Sequence, residues 1–281
     1  MQILQTVEEL RAWSRAQRCA GGQVGMVPTM GALHAGHASL IRAAAQACPG
    51  RVAVSIFVNP TQFGPNEDFA RYPRTFAADC ALAEQEGATV IFAPSVEEMY
   101  PAAAATFVDV EGVNERLDGK SRPGHFRGVA TVVAKLLIAA EPDLAFFGQK
   151  DAAQVAVLRR MIADLRLATT VVVCPIVREA DGLALSSRNS YLSSEDRKQA
   201  LVLSRAVRHV EELVASGQRQ ADTLIAAARA VFAKEPQVRV DYVELVNWDN
   251  LLPVSTAKPG SLFAVAAWVG TTRLIDNTIL Q

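Results

Sequence analysis

Apolar and polar positions along the chain follow two successive patterns. Through the first two thirds, short runs that are apolar throughout alternate with longer stretches whose apolar positions recur at helical spacing. This predicts strands at "QVGMVP" (23–28), "RVAVSIFV" (51–58), "TVIFAP" (89–94), "DLAFFG" (143–148) and "TTVVVCPIV" (169–177), with helices near 36–48, 76–87, 127–141 and 151–165 between them. Strands that are apolar on both faces must be covered on both. Alternation with helices therefore predicts a parallel sheet sandwiched between helices, a doubly wound α/β domain.

After "READGLALSSRNSYL" (178–192) the order changes to two helices, near 193–215 and 220–234, and then three strand-like runs, "VRVDYVELV", "SLFAVAAWV" and "TRLIDNTIL". Segregated helices and strands predict a smaller α+β domain. The boundary is expected near residue 177, giving domains 1–177 and 178–281.

Charge narrows the chemistry. Among 281 residues, 28 Lys and Arg nearly balance 29 Asp and Glu, so the chain lacks the basic excess that nucleic-acid binding needs and small-molecule work is expected. The N-terminal "MQILQTVEELRAWSRAQR" carries charges where a secretory segment would be apolar. The most apolar stretch, "GVATVVAKLLIAA", is interrupted by Thr131 and Lys135 and is too short for a bilayer, so a cytoplasmic protein without membrane contact is expected. Cys19, Cys48, Cys80 and Cys174 are widely separated and form no CxxC pair, which disfavours structural zinc and a disulfide framework.

Open parallel sheets bind ligands beyond the carboxyl ends of their strands, where helix N-termini offer free N–H groups to anions. Three strand–turn–helix segments carry polar residues at the turn. In "VPTMGALHAGHASLIRAA" (27–44), His34 and His37 lie three apart at a helix start and share a face. The pair is compatible with a metal half-site, a helix cap or a phosphate clamp. In "FFGQKDAAQ" (146–154), Lys150 stands at the turn and Asp151 at a cap-like position. In "LALSSRN" (183–189), two hydroxyls and a guanidinium suit phosphate oxygens. Between them, "VSIFVNPTQFGPNEDFARYPRT" (54–75) ends a hydrophobic strand in Asn59, Gln62 and Gly64, whose amides suit a small polyhydroxy acid. "DGKS" (118–121) lacks the earlier glycine of a phosphate-binding P-loop, because Asn114 stands there, and no G-x-G-x-x-G occurs.

Together the blocks resemble one family. "VPTMGALHAGH" is similar to the HxGH signature of the nucleotidyltransferase superfamily, shared with class I aminoacyl-tRNA synthetases. Its combination with "SIFVNPTQFG", "YPRT", "FFGQKDAAQ" and "VREADGLALSSRNSYL" resembles the pantothenate synthetases, and the terminal "GTTRLIDN" extends the match. The resemblance implies a Rossmann-like domain that binds ATP and pantoate, and a smaller domain that carries a KMSKS-like loop and closes the site. It also implies an ATP-dependent ligase joining pantoate to β-alanine through a pantoyl adenylate, with release of AMP and pyrophosphate. Magnesium would accompany ATP. A homodimer is implied as well, with the interface sought around "RVAVSIFVNP".

Carried over by position, the resemblance makes Met30, Gly31, Ala32, Leu33, His34, Ala35, Gly36 and His37 the ATP-binding loop, with Gly36 keeping the first helical turn open for the nucleoside. Gly148, Gln149, Lys150, Asp151 and Val177 would add ATP contacts, and Leu185, Ser186, Ser187 and Arg188 would form the mobile KMSKS-like loop. His34, His37, Lys150 and Arg188 are the implied catalytic groups. Gln62 and Gln154 would hold pantoate, and Gln62, Arg122 and His125 β-alanine. Where some members place adjacent carboxylates after "YPRT", this chain has Ala77, Ala78 and then Asp79, which leaves Asp79 as the candidate metal ligand. Two other readings remain at this stage: transfer of a nucleotide to a phosphorylated acceptor, and a non-catalytic nucleotide-binding protein.

Overall fold

Strands form where the apolar runs predict them. The computed structural model describes residues 1–65 and 67–281, with Asp68 described by its backbone alone, and Asn66 of the 54–75 segment lies outside the described residues. It places β2 (Gly25–Thr29), β3 (Val52–Ile56), β4 (Val90–Phe92), β5 (Leu144–Gly148) and β6 (Thr170–Cys174) in one parallel sheet with β1 (Gln2–Leu4). The order is β1-β4-β3-β2-β5-β6. Strand β1 spans three residues at the sheet edge and gives no periodic signal. The helix after it, α1 (Val7–Cys19), starts at a capping box in which the Thr6 side chain accepts from the Glu9 amide and the Glu9 side chain accepts from the Thr6 amide.

The remaining helices here are α2 (Ala35–Ala47), α3 (Phe76–Gln85), α4 (Val96–Met99), α5 (Asp118–Ser121), α6 (His125–Ala140) and α7 (Ala152–Asp164). Helix α2 packs on β2, β3 and β5 and against α3, while α1 packs on α6. Right-handed crossovers place α2 and α6 on opposite faces. Val27, Ile41, Val54, Ile91 and Phe146 are fully or almost fully buried in the α2-side core.

The chain winds outward from β2 through β3 to β4 and then restarts on the other side with β5 and β6. The reversal falls between neighbouring β2 and β5, so the crevice at their carboxyl ends, beyond Thr29 and Gly148, is where a doubly wound sheet takes a ligand. Strand β3 lies inside the sheet between β4 and β2, and its residues Val52–Ser55 are buried.

The chain divides into two compact units, Met1–Gly148 with Val157–Cys174, and Gln149–Ala156 with Pro175–Gln281. The second unit thus begins at Pro175 and also takes Gln149–Ala156, a segment the sequence reading leaves in the first domain. In it, α8 (Ser194–Ala215) and α9 (Ala221–Phe232) pack on an antiparallel sheet of β7 (Arg239–Asn247), β8 (Ser261–Val269) and β9 (Thr272–Ile279), in that order. Leu203, Val207, Leu224, Phe263 and Val265 form its core. Among the described residues, no helix is long and apolar enough to cross a membrane.

Candidate active site

The loop from β2 to α2 is held by side chains rather than left open. Thr29 Oγ1 donates to the Ser55 carbonyl at 2.6 Å and accepts the Gly31 amide at 3.2 Å. The amides of Ala32 and Leu33 donate to the two carboxylate oxygens of Asp79 at 3.0 and 2.8 Å, and Thr75 Oγ1 donates to Oδ1 at 3.0 Å. Asp79 is 2% exposed. Two backbone amides and a hydroxyl thus converge on this carboxylate, which fastens the histidine loop. Among the described residues, no group of three His, Cys, Asp or Glu side chains is placed to hold a metal.

His34 is the N-cap of α2. Its Nδ1 accepts the Gly36 amide at 3.1 Å, and His37 Nδ1 accepts the His34 amide at 3.3 Å. Each ring thereby satisfies a backbone donor at the helix start, a histidine version of the reciprocal cap. A ring that accepts at Nδ1 carries its proton on Nε2, so both imidazoles are assigned as neutral Nε2–H tautomers. The ring centroids lie 4.1 Å apart with a 40° tilt, so the two imidazoles are neighbours at the helix start. A methyl on Gly36 would lie 2.8 Å from His34 Cε1. Gly36 thus leaves room for the capping ring of His34.

The sequence leaves three readings of His34 and His37: a metal half-site, a helix cap or a phosphate clamp. They cap through Nδ1, and the same act fixes Nε2–H as the donor.

A second cluster lies where β3 ends. The short 3-10 turn Pro60–Gln62 is capped by Asn59, whose Oδ1 accepts from the Thr61 amide at 3.3 Å and from the Tyr100 hydroxyl at 2.9 Å. Asn59 Nδ2 donates to Gln62 Oε1 at 3.0 Å and to the Gly128 carbonyl at 3.1 Å, and Gln62 Nε2 points at Met30 Sδ at 3.1 Å. Asn59 and Gln62 are both buried. The Gln62 carbonyl accepts from His125 Nδ1–H at 2.8 Å. His125 Nε2 then accepts from Arg122 at 2.8 Å, and Arg122 forms a two-pronged ion pair with Glu67 at 2.7 and 2.6 Å. Burial first, and then the Arg122 charge, push the His125 pKa down to about 4, so its ring is neutral at pH 7. Burial acts to raise the Glu67 pKa, but hydrogen bonds and charge from Arg122 outweigh it and the net shift is downward.

Helix α6 approaches this turn closely because residue 128 is glycine. A Cβ there would lie 2.4 Å from the Thr61 carbonyl oxygen and 2.7 Å from Gln62 Cα.

In the second unit, Gln149–Asp151 forms a 3-10 turn, and Lys150 Nζ donates to Asp151 Oδ1 at 3.2 Å. Gln154 follows on α7, half-buried. Val177–Leu185 forms a hydrogen-bonded hairpin that leads into a short turn. Arg178 bridges Ala184, the Leu185 amide donates to the Val177 carbonyl at 2.9 Å, and Ser186 Oγ caps the turn Ser187–Tyr191 by accepting the Arg188 amide at 3.3 Å. Arg197 on α8 pairs with Glu179 at 2.6 Å and Asp181 at 2.8 Å, closing the hairpin from one side.

Two buried residues on β9 were not foreseen. Asp276 receives the Arg178 guanidinium at 2.7 and 2.9 Å, and Asn277 Nδ2 donates to the carbonyls of Gln149 and Lys150 at 3.0 and 2.9 Å. Burial raises the Asp276 pKa despite the opposing pull of Arg178. Their only sequence signal is that "GTTRLIDN" continues the family resemblance far from the other blocks.

Contacts join Ala32 and Leu33 to Asp79, Met30 to Gln62, and Gln62 to His125 and thence Arg122 in the first unit, while in the second the Lys150 turn and the Arg178 hairpin are each bonded to neighbouring residues of β9.

Residues 2–279 match the profile of the Pantoate-beta-alanine ligase family. A pantothenate synthetase of Acidobacterium capsulatum is 58% identical over 291 residues, covering 100% of this chain and 97% of that protein. One of Koribacter versatilis is 54% identical, covering 100% and 96%. Among solved structures, a pantothenate synthetase of Thermus thermophilus superposes with a TM-score of 0.93 at 46% identity, over 99% of each chain. A pantoate-beta-alanine ligase from Francisella tularensis, complexed with beta-gamma ATP and beta-alanine, gives 0.79 at 32% identity over 99% of this chain and 97% of that one.

Proposed function

Because the chain belongs to the pantoate–β-alanine ligase family and is an enzyme of that ligation, we propose that it runs the reaction through ATP and a pantoyl adenylate. The observation that carries this reading is the paired Nε2–H donors of His34 and His37 at the N-terminus of α2, beyond the carboxyl end of β2. An amide requires its carboxylate carbon to acquire a leaving group. A pantoate carboxylate oxygen attacks the α-phosphorus of ATP, the bond to the β-phosphate oxygen breaks, and pyrophosphate departs. The β-alanine amine then attacks the acyl carbon, and AMP leaves with the pantoate oxygen it gained, while the amine loses a proton. The ATP and β-alanine bound by the Francisella relative support this pairing of ligands.

In our reading, His34 and His37 donate Nε2–H bonds to phosphate oxygens as charge develops on them. Both act as hydrogen-bond donors rather than acids, since each proton lies on the nitrogen opposite the one engaged by the backbone. Because the Ala32 and Leu33 amides are bound to Asp79, Met30–Gly36 serve ATP through the histidines and the helix terminus. Lys150 and Arg188 neutralise phosphate charge, Ser186 and Ser187 offer hydroxyls, and Gly148, Gln149, Asp151, Val177 and Leu185 complete the ATP contacts. Gln62 and Gln154 hold pantoate. Arg122 and His125 serve β-alanine by fixing the Gln62 main chain, their own groups being engaged with Glu67 and Gln62. Magnesium would be carried by the triphosphate oxygens and would neutralise their charge, which suits its preference for retained waters. We further propose a homodimer in the cytoplasm.

The test is incubation with magnesium, omitting ATP, pantoate and β-alanine in turn. Pantothenate and AMP should form only with all three present. ADP in place of AMP would overturn the reading.

A further inference from the structure

We propose that the adjacent residues Asp276 and Asn277 on β9 act as one positioning unit for two separate segments, the Lys150 turn and the Arg178–Arg188 hairpin. Successive strand residues point to opposite sides, so a two-residue stretch of β9 can serve one segment with each side chain. Asn277, 3% exposed, donates both amide hydrogens to the carbonyls that flank Lys150, those of Gln149 and Lys150 itself, and its Oδ1 accepts from Gln149 Nε2 at 3.3 Å. Every hydrogen-bonding direction that this side chain uses here converges on the turn that presents Lys150.

Asp276, 2% exposed, grips Arg178 with both oxygens and also accepts the Asn277 amide at 2.8 Å. Arg178 in turn donates to the Gly182 carbonyl at 3.1 Å across the hairpin whose far strand leads into Ser186, Ser187 and Arg188. The shared backbone joins the two clamps. A shift of β9 would move the Lys150 turn and the Arg178 stem together.

The chemistry of each residue is specific to its task. Two carbonyls facing one side chain need two donors, so Asp at 277 would set lone pairs against lone pairs. A guanidinium held by two parallel bonds needs a carboxylate, which Asn at 276 would not supply. Neither Asp276 nor Asn277 touches substrate in this scheme, and each acts through a neighbour.

The inference rests on the phosphate roles read for Lys150 and Arg188, and a double-mutant cycle separates the two claims. The rate read is pantoate-dependent exchange of pyrophosphate into ATP, with melting temperature followed alongside. Lys150→Ala is expected to lower exchange at least ~100-fold. Asn277→Ala is expected to cost ~10- to 100-fold in the wild-type background, the scale of a misplaced charged group, and less than ~3-fold once Lys150 is already Ala. Asn277→Asp, equal in size, should be at least as damaging as Ala, whereas a purely packing role would leave it tolerated.

An undiminished cost of Asn277→Ala in the Lys150→Ala background would overturn the positioning role while leaving that of Lys150 intact. A Lys150→Ala enzyme with wild-type exchange would overturn both. Should Asn277→Ala not fold, Arg178→Lys replaces it, keeping the charge and losing the fork. Its loss of rate should vanish in an Arg188→Ala background, and a loss that persists there would overturn the positioning of the hairpin.

Discussion

A methyl group added to Gly36 would lie 2.8 Å from Cε1 and 2.9 Å from Nδ1 of His34. The glycine and the histidine are one device, because the ring reaches the Gly36 amide only while no Cβ stands in its way. Gly36→Ala is expected to lower kcat/KM for ATP by ~10-fold or more, as His34 loses its fixed direction. Stability should change little, since the gain of about 1 kcal/mol in helix propensity offsets a lost cap of about the same size. Steady-state kinetics with a melting curve on the same sample checks both halves.

Asp79 holds the loop on the other side. In Asp79→Asn one oxygen that accepts an amide becomes an NH2 group facing an N–H donor, an unpaired buried contact worth about 1–3 kcal/mol. We expect that loss in chemical denaturation and lower activity, with the magnesium concentration for half-maximal rate unchanged at fixed ATP. A large rise in that concentration would make Asp79 a metal ligand.

Gly128→Ala tests the cluster around Gln62. The added carbon would meet backbone at 2.4 Å, which no side-chain rotation can relieve, so α6 or the Pro60–Gln62 turn must move. A stability loss of about 1–3 kcal/mol, the cost of overpacking, is expected, with KM for pantoate rising more than KM for ATP. Equal rises for both substrates would show that Gln62 holds no special place in the pantoate subsite.

Acid should loosen the same cluster. His125 titrates at about 4 in the folded protein, below its ordinary 6.5, so folding releases its proton between those values. A depressed histidine adds stability that is complete above pH 6.5 and is lost as pH falls through 4. Glu67, also depressed, adds stability above its ordinary carboxylate value that is lost at still lower pH. Denaturation midpoints should therefore fall from pH 6.5 to 4, and His125→Gln should flatten that slope. A slope unchanged by the substitution would contradict the assignment.

The sheet was legible because buried parallel strands are apolar throughout, and β2 to β6 announce themselves that way. Strand β1 was not, since three edge residues carry no period. His34, His37, Lys150 and Arg188 stood out by side-chain type at strand–helix junctions. The part Asp79 plays in the loop was hidden for a physical reason: a carboxylate's neighbours decide its contacts, and here they include backbone amides 46 and 47 residues away. Asp276 was hidden likewise, with its Arg178 partner 98 positions distant. Gly36 was recognised as necessary without its His34 neighbour, because sequence shows the absence of a Cβ and not the atom that fills its place.

The adenylate route makes its sharpest prediction about one oxygen atom. With pantoate labelled with oxygen-18 in both carboxylate positions, one labelled oxygen should appear in AMP and one should remain in the amide product. Unlabelled AMP, with the heavy oxygen lost to inorganic phosphate or water, would contradict the route.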